Sequence, residues 1–485
     1  MFIGRKAELE FLESKYNSNG GQLIVLYGRR RVGKTETLRE FCKDKPHVFY
    51  SCRECTDHQQ LESFSERVLR EDIPAAKYLK SFSDWETALS SIIEFNSTQK
   101  KLLIIDEFPY MCKANKSIPS ILQNLWDEKL KDENVMIILC GSSMSFIEKD
   151  LLAEKNPLYG RATGIYKMKE MLFGDAAKFF PHYTAIDKII AYSLLGGIPH
   201  YLKQFDSNLT VEENIKRNIL TKGCVLYSEV EFLLRQELRE TTVYNTIIEA
   251  IALGNTKLND IYTKTQIEKV KLSVYLKNLI ELEVIEREFS VSDSVKEQAN
   301  STKGLYKLTD NFFRFWYSFV FPNYSELESG DVEGVYKYIV TPELNEYTSF
   351  IFEDVCRQYI SVLNRMEKLP FRYYKMGRWW GKIATEDSQG KKKSVETEID
   401  IMTVDRHSEN YLLGECKFKD TPFEKSEYIT FDEKSKAFEK HAKCWKYLFS
   451  KSGFTSAVKE IADINDNIEC IGIDELVSAF EIGDS

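Results

Sequence analysis

Apolar residues along this chain fall into three textures. Short runs with no polar break, "QLIVLY" at 22–27, "KKLLIIDEF" at 100–108 and "NVMIILCGSS" at 134–143, alternate with amphipathic stretches such as "RKAELEFLESKY" and "TETLREFC". Continuously apolar strands separated by helices predict a parallel sheet covered on both faces. From about 232 the spacing turns helical. Leu272, Leu276 and Leu279 recur beside Tyr275, and "VIEREF" at 284–289 reads as a strand, so helices are followed by a wing-like turn. The last third holds two strands, "TEIDIMTVD" and "YLLGECKFK", joined by the polar turn "RHSEN", which predicts a hairpin. A strand at 370–376, a helix through "KSKAFEKHAKCWKYLFS", an edge strand beginning in "FTSAVKE", and a strand and terminal helix in "NIECIGIDELVSAF" complete the expectation.

Composition changes this picture only at the margins. A chain of 485 residues exceeds what one core fills, roughly 250–300 residues, so several domains are expected. An apolar fraction of 43% with 29% charged residues argues against disorder. The formal charge of −9 excludes a uniformly basic coat, yet local clusters such as "GKKK" at 390–393 remain available to phosphate. Ten scattered cysteines, no apolar leader in "MFIGRKAELE" and no run of about 18 apolar residues lead us to expect a cytoplasmic protein without a membrane partner.

The chemistry begins at "GRRRVGKT". Gly28 to Thr35 match G-x-x-x-x-G-K-[ST] between a strand and a helix, the setting in which this pattern cradles phosphate. Gly28 and Gly33 allow a tight loop with its N–H groups facing phosphate, Lys34 reaches the outer phosphates, and the Thr35 hydroxyl suits Mg²⁺. The acidic strand ends in Asp106, suited to the magnesium shell, and Glu107, suited to polarising the attacking water. Ser142 and Ser143 close the third strand, where a hydroxyl either senses the outermost phosphate or simply makes the turn. Guanine-specific N-K-x-D patterning is not apparent, so ATP is the expected nucleotide. Cys52 and Cys55, near His47 and His58, form one C-x-x-C without the second pair that a structural zinc site needs, and read as free cysteines.

This succession resembles the AAA+-related archaeal-type ATPase family, close to the signal-transduction NTPases, over essentially the whole chain. "FIGRKAELEFLESKY" is similar to that family's N-terminal box, and "NPLYGRATG" and "LLGGIPHYL" match further segments. The resemblance implies that Gly4 and Arg5 border the nucleotide base, that Arg161 serves the outer phosphate, and that Pro199 marks the nucleotide-facing turn of a helical lid. Read from the residues alone, Arg161 fits a surface ion pair equally well.

The resemblance also implies the fold class, α/β throughout: a P-loop NTPase parallel sheet with helical lid over 1–220, a winged-helix domain over 221–315, a connector over 316–345, and a C-terminal DUF234-like, restriction-endonuclease-like α/β domain over 346–485. A winged helix implies duplex DNA contact through a helix near 267–281. Lys264, Lys269, Lys271 and Lys277 there are offset by Glu268, Glu281 and Glu283, which leaves a protein partner or a second copy of the chain as alternatives to DNA. The aromatic run "GLYKLTDNFFRFWYSFVFPN" suits a packed stripe, with base stacking on Phe315, Trp316 or Tyr317 as the other reading.

In the C-terminal strands side chains alternate, so Glu398 and Asp400 share a face, as do Glu415 and Lys417. Three carboxylates and an ammonium converging on one spot suit phosphodiester hydrolysis, since a hard divalent cation takes oxygen ligands. Helix Glu, then Asp, then E-x-K is similar to the restriction-endonuclease-like core. This maps to Glu353, Asp400, Glu415 and Lys417, with metal on Asp400 and Glu415 and with Glu398 alongside. An ion pair on a polar strand face, or a degenerate core, is the other reading, in which the chain is an ATPase scaffold that cuts nothing.

Overall fold

The computed structural model describes residues 2–71, 73–300, 304–386, 392–439 and 442–482, and divides into two compact units. Met1–Met171 with Ile198–His200 form the first; Leu172–Gly197 with Tyr201–Ser485 form the second. The segment read as a lid is thereby divided, its Pro199 turn in the first unit and its flanking helices in the second.

In the first unit β1 (Gln22–Tyr27), β2 (His47–Ser51), β3 (Lys101–Asp106), β4 (Val135–Gly141) and β5 (Gly164–Lys167) form one sheet in the order β2-β3-β4-β1-β5. Every neighbouring pair is parallel. Alternation explains the unbroken apolar runs. Leu23, Val25, Leu103 and Ile105 enter one core with Phe64 and Trp85, while Ile24, Leu26, Leu102 and Ile104 enter the other with Leu38 and Phe41. Because all five strands run the same way, the loops after β1, β3 and β4 leave from one edge. The helix Lys34–Cys42 starts at that edge.

The second unit holds the helices Thr241–Ala252, Leu258–Thr265 and Lys269–Glu281, followed by the antiparallel pair β6 (Ile285–Glu288) and β7 (Leu305–Leu308). Leu272, Leu276 and Leu279 are the buried side of the third helix, as their spacing predicts. The aromatic run is core: Phe312, Phe313, Phe315, Trp316, Tyr317 and Phe319 are all but fully buried, with Trp316 donating to the Tyr227 carbonyl at 2.7 Å and Tyr317 to Asn245 at 2.8 Å. Base stacking on Phe315, Trp316 or Tyr317 is therefore excluded in this arrangement.

A second sheet follows, with β8 (Lys375–Glu386), β9 (Lys392–Val404), β10 (Asn410–Lys417), β11 (Lys443–Ser450) and β12 (Ile468–Gly472) in the order β12-β11-β10-β9-β8. β8, β9 and β10 are an antiparallel meander, and β11 and β12 continue parallel to β10. The hairpin is present, whereas three neighbouring readings are corrected. The strand expected at 370–376 starts at Lys375 and runs on through "RWW". "KCWKYLFS" is β11 and not a continuation of the helix Lys425–Glu439, because it lies between two strands and is buried on both faces. "FTSAVKE" leads into the helix Ser456–Ile464, whose Val458, Ile461 and Ala462 join the core under this sheet. In "GKKK", 390 and 391 lie outside the described residues. Among the described residues no helix is long and apolar enough to cross a membrane.

Candidate functional sites

Gly28–Thr35 bridge β1 and the helix Lys34–Cys42. Gly33 sits at φ 95°, in the left-handed region that favours glycine. A Cβ on Gly28 would lie 2.3 Å from the Met168 carbonyl oxygen, so the loop passes where only glycine fits. Lys34 is buried and donates to the Gly28 and Arg29 carbonyls at 2.8 and 3.0 Å. Burial lowers its pKa, while Asp106 and Glu107 work in the opposite direction.

The Thr35 hydroxyl donates to Asp106 Oδ2 at 2.8 Å, bringing two hard oxygen donors together from the loop and from the end of β3. Glu107 follows at φ 52°, and its Oε2 accepts from the Ser142 hydroxyl at 3.0 Å and from the Ser142 backbone N–H at 3.4 Å. Lys34, Thr35, Asp106, Glu107 and Ser142 thus form one constellation, supplied by three strand ends. Pro199 packs on the same loop, its Cγ 3.6 Å from where a Gly33 Cβ would stand.

Two residues that the resemblance sets beside the nucleotide make the following contacts. Arg5 turns inward, its guanidinium donating to Glu8 at 2.7 Å and to the Lys169 and Val32 carbonyls at 2.7 and 2.5 Å, so it braces the phosphate loop from behind. Arg161 spends its hydrogen bonds on Asp127, at 2.7–3.0 Å, and on carbonyls of its own turn, Pro157 and Tyr159. The contact of Arg31, at φ 68° in the loop, with the His200 ring was missed by sequence reasoning, although His200 directly follows Pro199. Cys52 is buried in the core and His47 Nδ1 contacts the Lys45 carbonyl.

The second constellation lies in the second sheet. Gly377 pairs with Met402 and Trp379 with Ile399, so Asp400 and Ile401 together oppose the single residue Arg378. This β-bulge interrupts the ladder at Asp400 and re-aims it. Its carbonyl, freed from the ladder, accepts from Arg357 Nη1 at 2.9 Å, and its Oδ2 accepts from the Cys416 N–H at 2.9 Å. Asp400 and Glu415 each stand one residue beyond the Gly414–Ile401 pair. Lys417 Nζ lies 2.7 Å from Glu415 Oε1, while Glu415 Oε2 is buried without a hydrogen bond, 3.8 Å from Lys434.

Glu353, on the helix Thr341–Arg365, is 3.7 Å from both Arg357 and Arg378. Burial, then the charge of Asp400, raises the Glu353 carboxyl to about 8. Burial, then Glu415, raises Asp400 to about 6. Glu353, Asp400, Glu415 and Lys417 are therefore brought together. Glu398 is not on the Asp400 carboxylate but on Arg378, at 2.9 Å. Arg357, Arg378 and Lys434 went unread in the sequence, although Arg378 begins the "RWW" segment. Among the described residues no group of three or more His, Cys, Asp or Glu could hold a metal ion. A cation here would have two carboxylates, Asp400 and Glu415, and the orphaned Glu415 oxygen fits such a two-carboxylate site.

Comparison with known proteins adds the following. Residues 2–205 match the family described as an ATPase domain predominantly from Archaea, and residues 316–430 match DUF234, described as archaeal and bacterial proteins of unknown function. An uncharacterized protein of Methanocaldococcus jannaschii is 35% identical over 422 residues, 87% of this chain and 88% of its own length. An uncharacterized ATP-binding protein of the same organism is 60% identical over 45 residues, 9% of this chain and 76% of its own. Among solved structures, a Walker-type ATPase of Pyrococcus abyssi covers 65% of this chain and 96% of its own at 21% identity, with a TM-score of 0.47.

Proposed function

The chain belongs to an archaeal-type family of P-loop ATPases that carry a DUF234 segment behind the ATPase, and on that premise we propose an ATP-driven switch that governs metal-dependent cleavage of DNA in the second unit. The protein binds and hydrolyses ATP as a P-loop NTPase of the AAA+ superfamily. We assign the residue roles as follows. The loop N–H groups and Lys34 bind the outer phosphates. Thr35 and Asp106 would hold Mg²⁺, which when bound offsets phosphate charge. Glu107, held by Ser142, takes the proton of the attacking water. The helices ending at Glu281 with the β6–β7 pair support a winged-helix reading, with Lys271 and Lys277 exposed toward DNA phosphate.

One observation carries the cleavage reading: Asp400 and Glu415 meet across β9 and β10 with Lys417 on Glu415 and one Glu415 oxygen left without a hydrogen bond. The order on which the restriction-endonuclease-like resemblance rests, helix Glu, then Asp, then E-x-K, falls on the helix Thr341–Arg365, β9 and β10. Asp400 and Glu415 would hold the cation, whose chemistry is to polarise a phosphate and acidify a bound water. Lys417, 2.7 Å from Glu415, would orient an attacking water and stabilise charge developing on the phosphate.

The test is cleavage of plasmid and linear DNA with Mg²⁺ or Mn²⁺, with and without ATP. Wild type should cut, Asp400→Asn should not, and Lys34→Ala shows whether ATP gates cutting. In parallel, Glu107→Gln should keep ATP binding and lose hydrolysis by roughly 10²–10⁴-fold. Normal ATP hydrolysis with no cutting under either metal sinks the cleavage reading. A second reading then takes over, a switch that binds DNA or a protein without cutting it. Its support is that Glu353 and Glu415 already have cations beside them, Arg357 and Arg378 3.7 Å from Glu353, and Lys417 and Lys434 2.7 and 3.8 Å from Glu415.

A further inference from the structure

Arg378 occupies an unusual place. It stands on the edge strand β8, directly opposite the bulge at Asp400 and Ile401, and its backbone carbonyl accepts from the Val291 N–H at 2.9 Å. Val291 lies just beyond β6, and the next contact along, the Trp380 N–H to the Ser290 hydroxyl at 3.4 Å, continues the seam. The β6–β7 pair and the carboxylate cluster therefore share this one residue.

Its guanidinium is shared too. Nη1 lies 3.7 Å from Glu288 at the end of β6, and Nε lies 3.7 Å from Glu353, too far to bond. That Nε is buried with no hydrogen-bond partner. Nη2 alone makes a close contact, at 2.9 Å to Glu398. Glu288 and Glu353 are about 16% and 15% exposed at the side chain, but Glu398 is 58% exposed. The adjacent Nε and Nη2 groups form the edge that binds a phosphate in two parallel bonds. Here one of those two donors is unused, and the other is held by a carboxylate that solvent screens and that can swing away at little cost.

We propose that Arg378 is a phosphate-binding residue of the second unit: its Nε–Nη2 edge takes a backbone phosphate of a nucleic-acid strand, and Glu398 fills that edge as a stand-in anion until the strand arrives. Glu398 thus regulates access to Arg378 and is not a ligand of a metal at Asp400. Glu288 faces the opposite edge, 3.7 Å from Nη1, and leaves the Nε–Nη2 edge to Glu398. This rests on the nucleic-acid reading of the second unit, but not on cleavage.

The experiment is fluorescence anisotropy of the full chain with a labelled duplex of about 20 base pairs, and with one of its strands, in EDTA over a range of salt. Arg378→Gln should weaken binding roughly tenfold or more and lower the salt slope for duplex by about 0.9. Arg378→Lys should keep the slope yet lose affinity, since a lysine lacks the fork. Glu398→Gln, an exposed change that leaves the core intact, should tighten binding about two- to fivefold, and should do nothing once Arg378 is Gln. Wild-type affinity and slope in Arg378→Gln would overturn the assignment. So would an equal gain from Glu398→Gln with and without Arg378, or no salt-dependent binding by wild type. A protein that binds through Arg378 but never cuts DNA removes the cleavage reading and leaves this one standing.

Discussion

Glu353 carries its charge at a cost, because burial and the neighbouring Asp400 both favour its neutral form and outweigh Arg378 and Arg357. An ordinary glutamate loses its proton near 4.5, whereas this one holds it to about 8. Between those values the folded chain binds a proton that the unfolded chain has released, so stability falls as pH rises, by at most about 1.4 kcal/mol per pH unit. The stabilisation is complete below the unfolded value and is lost as pH passes through the folded one. Metal-free protein melted in EDTA from mildly acid to mildly alkaline pH should therefore lose stability, and Glu353→Gln should flatten the decline. An unchanged slope in that variant would assign the loss to other groups. At this scale the sequence was informative about acids and silent about their counter-ions. Strand alternation pairs Glu415 with Lys417, and the resemblance adds Glu353 and Asp400, but alternation also pairs Glu398 with Asp400, whereas Glu398 stands on Arg378. Arg357, Arg378 and Lys434 could not be read, because the bulge that sets Arg378 opposite Asp400 exists only once β8 and β9 are paired.

Among the elements, unbroken apolar runs next to a phosphate-loop pattern leave few choices, so β1, β3, β4 and the loop edge were legible, whereas β2 and β5, short and only part-buried, carry no unbroken apolar run and were not. The C-terminal sheet was harder. "KCWKYLFS" is buried on both faces, which erases the alternation that marks a half-buried strand. "FTSAVKE" looked β-prone because its helix begins only at Ser456, after Phe454 and Thr455. Glycine placement in the phosphate loop gives a test at this scale. At Gly28 an added methyl meets a backbone oxygen at 2.3 Å, which no side-chain rotation relieves. At Gly33 the nearest atom is the Pro199 ring at 3.6 Å, and the cost is the left-handed backbone. Denaturant unfolding should show Gly28→Ala costing about 1–3 kcal/mol or more and Gly33→Ala nearer 1–2 kcal/mol. The reverse order would mean that the loop shifts freely away from Met168.

For the whole molecule, two compact units with separate apolar cores are expected to melt in two transitions, and nucleotide is the natural probe of whether they communicate. ATP held a hundredfold above its Kd stabilises the unit that binds it by about 2.7 kcal/mol. For a domain of this size that raises the first transition by roughly 5–10 °C. Lys34→Ala should abolish the shift. The second transition is the decisive one. A ligand moves an equilibrium only by its differential affinity for the two states, and coupling between sites typically amounts to about 1–3 kcal/mol. If ATP governs what the second unit does, its melting must therefore move as well, by a smaller amount and only when Lys34 is intact. Calorimetry of wild type and Lys34→Ala, each with and without ATP, reads both shifts at once. A second transition that stays fixed while the first rises would mean that nucleotide binding does not reach Glu353, Asp400 and Glu415, and the chain would then carry two independent activities with no switch between them.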